Sequence, residues 1–232
     1  MGASSSRHEN EGCQRTDHIP ISKQDARVQL PHNVECIIGD ADVQVDRSSA
    51  HGMYQQLRAG VFLNNKRKKY WVDQAGNNCF IVYARDLSIT WSEDGRYWQW
   101  LSQKDMSSEE LVDVVKLENV CWLEVHGKFE MSKLSPNVVY EVAFIVKIVA
   151  ESAYGWEVPV NFRLRLPNGS KQESKINLME KPRGQWIKVP AGEFETSSEL
   201  KGEIEYSLYE YEDGKWKRGL MIMGVSIQPK QL

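Results

Sequence analysis

Val138-Val-Tyr-Glu-Val-Ala-Phe-Ile-Val-Lys-Ile-Val149 repeats with period two: Tyr140, Val142, Phe144, Val146 and Ile148 fall on one face, Glu141 and Lys147 on the other. Bulky side chains on one face of an extended segment make a core wall. Val160 to Leu166 repeats the pattern, with Val160, Phe162, Leu164 and Leu166 inward, Arg163 and Arg165 outward, and Pro167-Asn-Gly169 turning the chain. Cys79 to Ala84, Leu87 to Trp91, Trp186 to Val189, Gly202 to Tyr209 and Leu220 to Ile227 read as further strands, the last two joined around Glu212-Asp-Gly214. Between Ser107 and Leu117, Ser107 and Glu110 have the spacing of a helix capping box, but Val112, Val114 and Val115 favour a turn followed by a strand. No second long amphipathic helix alternates with these strands, which argues against a parallel α/β fold. The expected fold class is all-β, an antiparallel β-sandwich.

The 232 residues, with a formal net charge of −3, suffice for one globular domain and a tail, and give no global pull towards nucleic acid or anionic membrane. Cys13, Cys36, Cys79 and Cys121 are scattered, form no C-x-x-C pair and accompany no apolar leader or membrane-length stretch, which points to a reducing, cytoplasmic setting.

Residues 1–46 are rich in polar side chains and read as a disordered arm; residues 47–232 read as the folded domain. Met1-Gly-Ala-Ser-Ser-Ser6 fits N-myristoylation at Gly2, and a single acyl chain without a neighbouring polybasic run supports weak, reversible membrane contact at most. Ser48 or Ser49 caps a short helix carrying Met53 and Leu57 at fourfold spacing. Next comes Asn64-Asn-Lys-Arg-Lys-Lys69 before Tyr70 and Trp71, a basic cluster that suits either nuclear import and RNA phosphate contact or a solvated hairpin connection.

Nucleophilic and metal chemistry find little support. Of the five histidines only His126 lies in the β region, and no Ser-His-Asp set, metal-ligand spacing, Walker loop or G-x-G-x-x-G is present, so neither catalytic residues nor a cofactor is expected. Glu203 and Glu205 lie on one strand face roughly 7 Å apart, a spacing a glycosidase can use. Alternating glutamates are more commonly a solvated face, and Glu193 with Glu195 repeats the arrangement.

The densest aromatic stretch is Leu87 to Leu101, where Trp91, Tyr97, Trp98 and Trp100 flank Glu93-Asp-Gly-Arg96 and read as two short strands around a tight turn. Trp98 and Trp100 share a strand face with Tyr97 opposite, so at least one ring belongs to the core, Trp100 most readily. Trp122 and Trp186 also read as core or close to it. Glu151, Tyr154 and Trp156 lie in a loop between long strands, where aromatic side chains often serve a site.

Ala84-Arg-Asp-Leu-Ser-Ile-Thr-Trp91, Tyr97-Trp-Gln-Trp100, Cys121-Trp-Leu-Glu-Val-His-Gly-Lys128, Leu134-Ser-Pro-Asn-Val-Val-Tyr140, Tyr154-Gly-Trp156 and Trp216-Lys-Arg-Gly-Leu220 together resemble the plant phloem protein 2 family, which has a Nictaba-like lectin domain. The resemblance runs from about residue 55 to the end of the chain. It implies a jelly-roll-like β-sandwich that is a non-enzymatic lectin for N-acetylglucosamine oligomers (chitooligosaccharides) and the N-glycan cores of glycoproteins. A homodimer, a cytoplasmic or phloem location and a part in wound and defence responses are also implied. The family's two sugar-binding tryptophans match Trp91 and Trp98, and a pyranose presents an apolar C–H face suited to such rings. Ser92, Glu93, Asp94 and Arg96 are the expected polar partners, and Tyr97, Trp100, Glu151, Tyr154 and Trp156 complete the candidate site. The rival expectation is an RNA-binding or scaffold component of phloem ribonucleoprotein particles, resting on Lys66 to Lys69.

Overall fold

The computed structural model describes residues 29–197 and 201–231. They form two antiparallel sheets packed face to face. In chain order the elements are α1 (Val34–Ile38), α2 (Ala50–Ala59), β1 (Val61–Leu63), β2 (Lys68–Val72), β3 (Asn78–Tyr83), β4 (Ser88–Ile89), β5 (Trp98–Lys104), β6 (Leu111–Leu117) and β7 (Leu123–Glu130). There follow β8 (Val139–Ile148), β9 (Val160–Arg165), β10 (Lys171–Ile176), β11 (Ile187–Glu195), β12 (Glu203–Glu210) and β13 (Leu220–Pro229). The five-stranded sheet has the order β10-β9-β12-β7-β4; in the eight-stranded sheet β13 lies between β8, which carries β11, and both β3 and β6. From β4 onward most connections pass from one sheet to the other, so the expected antiparallel sandwich is the observed fold.

The period-two face of β8 is the core wall: Tyr140, Val142, Phe144, Val146 and Ile148 are all fully buried. Opposite them the five-stranded sheet contributes Val125, Phe129, Phe162, Leu164, Tyr206 and Leu208. Tyr206 and Phe162 meet the Phe144 ring edge-on, at 6.1 and 5.7 Å between centroids. The other face of β8 is not a solvent face. Ile145 joins Ile81, Tyr83, Val112, Val114, Met221 and Met223 in a smaller cluster on the outer side of the curled large sheet.

A buried ion pair joins the wings of that sheet. Lys69 Nζ on β2 donates to Asp105 Oδ2 at 2.6 Å and to Ser107 Oγ at 2.7 Å, while Tyr83 OH donates to Asp105 Oδ1 at 2.7 Å. Burial pushes the Asp105 carboxyl up, but hydrogen bonds from Lys69 and Tyr83 outweigh it and hold the group at about 2.

Five expectations change. The arm does not extend to residue 46: Val34, Ile37, Ile38 and Val45 are buried, and Asn78 Nδ2 donates to His32 O at 2.7 Å, because these apolar positions cover an end of the core. Residues 1–28, with Gly2, lie outside the described residues. Ser49 caps α2 as expected, accepting from Gly52 N at 3.1 Å, and Met53 and Leu57 are fully buried. The Leu87 to Trp91 strand shrinks to β4, and the aromatic stretch is no hairpin, since β4 pairs with β7 in one sheet and β5 with β6 in the other. Strands β1, β2, β7 and β10 lay outside the strands read from sequence. Trp122 is not a core ring, being 41% exposed, whereas Trp186 is half-buried under Lys147 against the outer cluster, close to the core as expected.

Removing one partner of the buried pair leaves a charge without compensation. Lys69→Ala is therefore expected to cost about 3–5 kcal/mol in urea denaturation, and Lys69→Met with Asp105→Leu much less than Lys69→Ala alone. Because the folded-state value of Asp105 is depressed, its contribution is present above the unfolded value of about 4 and is lost as pH falls towards 2. The wild-type midpoint should fall across that window more steeply than that of the double variant.

Candidate functional site

Cross-sheet connections β4–β5, β6–β7, β8–β9 and β12–β13 meet at one end of the sandwich. Their backbones are tied pairwise: Thr90 N to Glu124 O at 3.1 Å, Glu118 N to Tyr97 O at 2.8 Å, Val120 N to Lys217 O at 3.0 Å, and Arg218 N to Tyr154 O at 3.0 Å. Gly155 permits the last approach: a Cβ there would stand 2.0 Å from Trp216 O, and its φ of +81° suits glycine. Lys217 is fully buried, its ammonium bonded to Glu210, to Asp213 Oδ1 at 3.0 Å and to Lys215 O at 3.0 Å, which pins the β12–β13 loop from beneath.

Tryptophans anchor these loops from inside. Trp98 is only 2% exposed and donates its indole N–H to Thr90 O at 3.0 Å; Trp156 is 1% exposed and donates to Arg218 O at 2.8 Å. Both were expected to touch ligand, and both instead give their rings to the core. Trp100 donates to Ser92 O at 3.0 Å, and the Arg85 guanidinium lies 3.6 Å from its ring centroid, covering the face a sugar would need.

Other rings stand outside. Trp91 is 48% exposed in a left-handed conformation, φ +62°, and its ring lies 5.1 Å from that of Tyr97 at 36°. Tyr154 is 47% exposed, its hydroxyl donating to Asn119 Oδ1 at 2.7 Å, and Glu151 is exposed nearby in sequence. Trp91, Tyr154 and Glu151 are thus the exposed residues of the expected set, and Tyr97, like Trp100, is half-buried against the core. Trp216, half exposed, was not foreseen. Of the expected polar partners, Asp94 and Arg96 engage each other at 2.6 Å, and that guanidinium holds the Asp94 carboxyl at about 2. Ser92 and Glu93 line a shallow depression beside Trp91.

Trp122 also faces out, stacked on Tyr211 at 4.2 Å and 12°, with its indole N–H donating to Glu124 Oε2 at 2.9 Å. That bond, against the opposing effect of burial and aided by Thr90, lowers the pKa of Glu124. The sequence carried the signal, because Trp122 has the parity of Glu124, His126 and Lys128, the outward positions of β7.

The remaining candidates are engaged elsewhere. Lys66, Arg67, Lys68 and Lys69 lie 2.7, 3.9, 2.9 and 2.6 Å from Glu110, Asp86, Asp86 and Asp105, so the basic cluster of the hairpin meets carboxylates of its own chain. Lys128 lies between Glu205 at 3.0 Å and Glu203 at 3.9 Å, an ion-paired sheet face. Among the described residues no group of His, Cys, Asp and Glu is placed to hold a metal, and no helix is long and apolar enough to cross a membrane.

Core and surface rings respond differently to truncation. Trp98→Ala should lower stability by about 3–5 kcal/mol in urea denaturation, whereas Trp91→Ala should change it by less than about 1 kcal/mol.

Protein PHLOEM PROTEIN 2-LIKE A1 of Arabidopsis thaliana is 49% identical over 207 residues, which cover 88% of this chain and 83% of that one. A protein of Luffa acutangula named "Lectin" is 45% identical over 207 residues, covering 88% of this chain and 97% of that one. Among solved structures, the xylan-binding CBM22-1 domain of Paenibacillus barcinonensis Xyn10C overlaps with a TM-score of 0.37 and 16% identity over 65% of this chain and 89% of that one, too loosely to bear on the site. The profile of the Phloem protein 2 family matches residues 77–229, and the chain belongs to that family.

Proposed function

We propose that the protein is a non-enzymatic lectin that binds N-acetylglucosamine oligomers and the N-glycan cores of glycoproteins at the loop end, in the phloem response to wounding. The observation that carries this reading is the conformation of Trp91. A bulky residue with positive φ costs on the order of 1–2 kcal/mol, and here the cost holds an indole at the surface instead of burying it. Strain retained at an exposed ring is accounted for by a ligand that stacks on it. The apolar face of a pyranose meets Trp91, with Tyr97 beside it, while hydroxyl and acetamide groups meet Ser92 and Glu93. Trp98 and Trp156 hold those loops in place from the core and touch no ligand.

The name of the Luffa relative supports the class of ligand, and the family supports a non-enzymatic role. An open site with one or two rings binds with affinity on the order of micromolar to millimolar, so cross-linking of glycoproteins draws on more than one site, whether in a homodimer or otherwise. RNA binding finds less support, because the cations of Lys66 to Lys69 face carboxylates.

Chitotriose should produce a saturable change in tryptophan fluorescence, and calorimetry of Trp91→Ala should show the loop-end binding event weakened about tenfold or more, with an unchanged melting temperature. An unchanged number of sugars bound with wild-type affinity in that variant would remove the assignment. Raising NaCl from about 50 to 200 mM should leave the sugar affinity within about twofold, where phosphate-driven RNA binding would fall steeply.

A further inference from the structure

The outer face of the five-stranded sheet carries a groove of about 580 Å³, distinct from the depression beside Trp91. Strand register explains it. Ser88, His126, Ser207 and Arg163 lie side by side across β4, β7, β12 and β9, and the short Ser207 side chain between His126 and Arg163 leaves the floor low at β12. One neighbouring row is taller and charged: Lys128, Glu205 and Arg165, with Lys128 Nζ 3.0 Å and Arg165 Nη1 3.7 Å from the Glu205 carboxylate. On the opposite side stand rings. Tyr209 is buried beneath the Arg163 guanidinium, 4.7 Å from its ring centroid, and Tyr211 stacks between Tyr209, at 5.5 Å and 27°, and Trp122, so the exposed Trp122 indole, which adjoins the groove through Tyr211 and Glu124, is the ring left open.

The polar groups of the groove are already oriented. Glu124 accepts from Thr90 and Trp122 and lies 3.1 Å from His126 Nε2; Arg163 Nε donates to Glu173 at 2.9 Å, and its guanidinium reaches the Tyr209 hydroxyl. Its cations pair with carboxylates, so the groove offers hydrogen-bond donors and acceptors without a dominant sign of charge. Neither an anion nor a cation is favoured there. The open Trp122 ring beside a neutralised hydrogen-bonding bank fits a ligand with one C–H face and one hydroxyl edge.

We infer that this groove is a second carbohydrate site, for a neutral oligosaccharide, which makes a single chain bivalent. The ligand class rests on the lectin reading above; the location does not depend on Trp91. The volume lies within the roughly 300–1,000 Å³ of small-ligand sites. Two sites on one rigid sandwich let a single chain bridge two glycans, without a dimer.

Fluorotryptophan-labelled full-length protein, titrated with chitotriose and followed by fluorine NMR, tests the inference. The Trp122 resonance, assigned from its loss in Trp122→Phe, should shift and saturate with a midpoint of its own, and calorimetry should count two sugars per chain. In Trp91→Ala the Trp122 response should persist within about twofold. Ser207→Tyr, which fills the floor of the groove, should abolish it while leaving the Trp91 response in place, and Trp122→Ala should weaken the groove event about fivefold to tenfold. Thermal melts show whether each variant is folded, and the wild-type titration alone already decides the matter. A stationary Trp122 signal while Trp91 saturates overturns the groove and leaves the loop-end reading intact. A Trp122 response with a silent Trp91 does the reverse, and silence of both at millimolar sugar overturns both.

Discussion

Strand β13 holds three neighbours because residue 224 has no side chain. Met221 and Ile222 pair with β6, and from Gly224 onward the same edge pairs with β3 while the other edge stays with β8, the register shifting between Ile222 and Gly224. A Cβ at Gly224 would stand 2.1 Å from Val82 O and 2.9 Å from Tyr83 Cα, too close for backbone to accommodate. The two wings of the large sheet diverge from that bulge and curl over the small outer cluster, which the Lys69–Asp105 pair then closes. With one sheet curled and the other covering its inner face, the cross-sheet loops converge at one end.

Convergence alone would leave four mobile loops. What fixes them is the use of buried donors as struts: Trp156 donates to Arg218 O of the β12–β13 connection, Trp98 closes its own β4–β5 connection on Thr90 O, and buried Lys217 does the same within β12–β13. A buried donor without a partner would cost about 1–3 kcal/mol, so each strut both anchors a loop and satisfies itself. Surface rings carried by such loops are positioned before any ligand arrives, which lowers the ordering entropy a weak sugar site would otherwise meet.

Sequence periodicity located most of the sandwich, because β8, β9 and β12 set bulky apolar residues on the face that meets the main core, while β13, buried on both faces, shows as an apolar run. It missed β10, whose residues are exposed from Lys171 to Lys175 and whose place at a sheet edge imposes no pattern. It also overran β4, since nothing in Leu87 to Trp91 announces that Trp91 turns left-handed and ends the strand. The candidate site was half legible. Parity says which rings share a face, but not how far along the strand solvent begins, so Trp98 could not be told from an exposed ring. Trp122 misleads for a different reason: its neighbours Cys121 and Leu123 are apolar, so local hydrophobicity points inward while parity points outward.

The distribution of charge separates the two ring surfaces from a nucleic-acid surface more firmly than their shapes do. A phosphate-binding face needs cations left over after the protein has satisfied its own carboxylates. Here Lys66 to Lys69 face Glu110, Asp86 and Asp105, and Lys128, Arg163 and Arg165 face Glu205 and Glu173. Such pairing gives little stability where it is exposed, since exposed ion pairs contribute about 0–1 kcal/mol. Its consequence is electrostatic neutrality at the places where rings are displayed. A neutral sugar gains from a ring and from fixed hydrogen bonds whatever the salt concentration, whereas a charged competitor finds no net field to draw it in, so pairing the charges beside the rings discriminates against polyanions without any steric barrier.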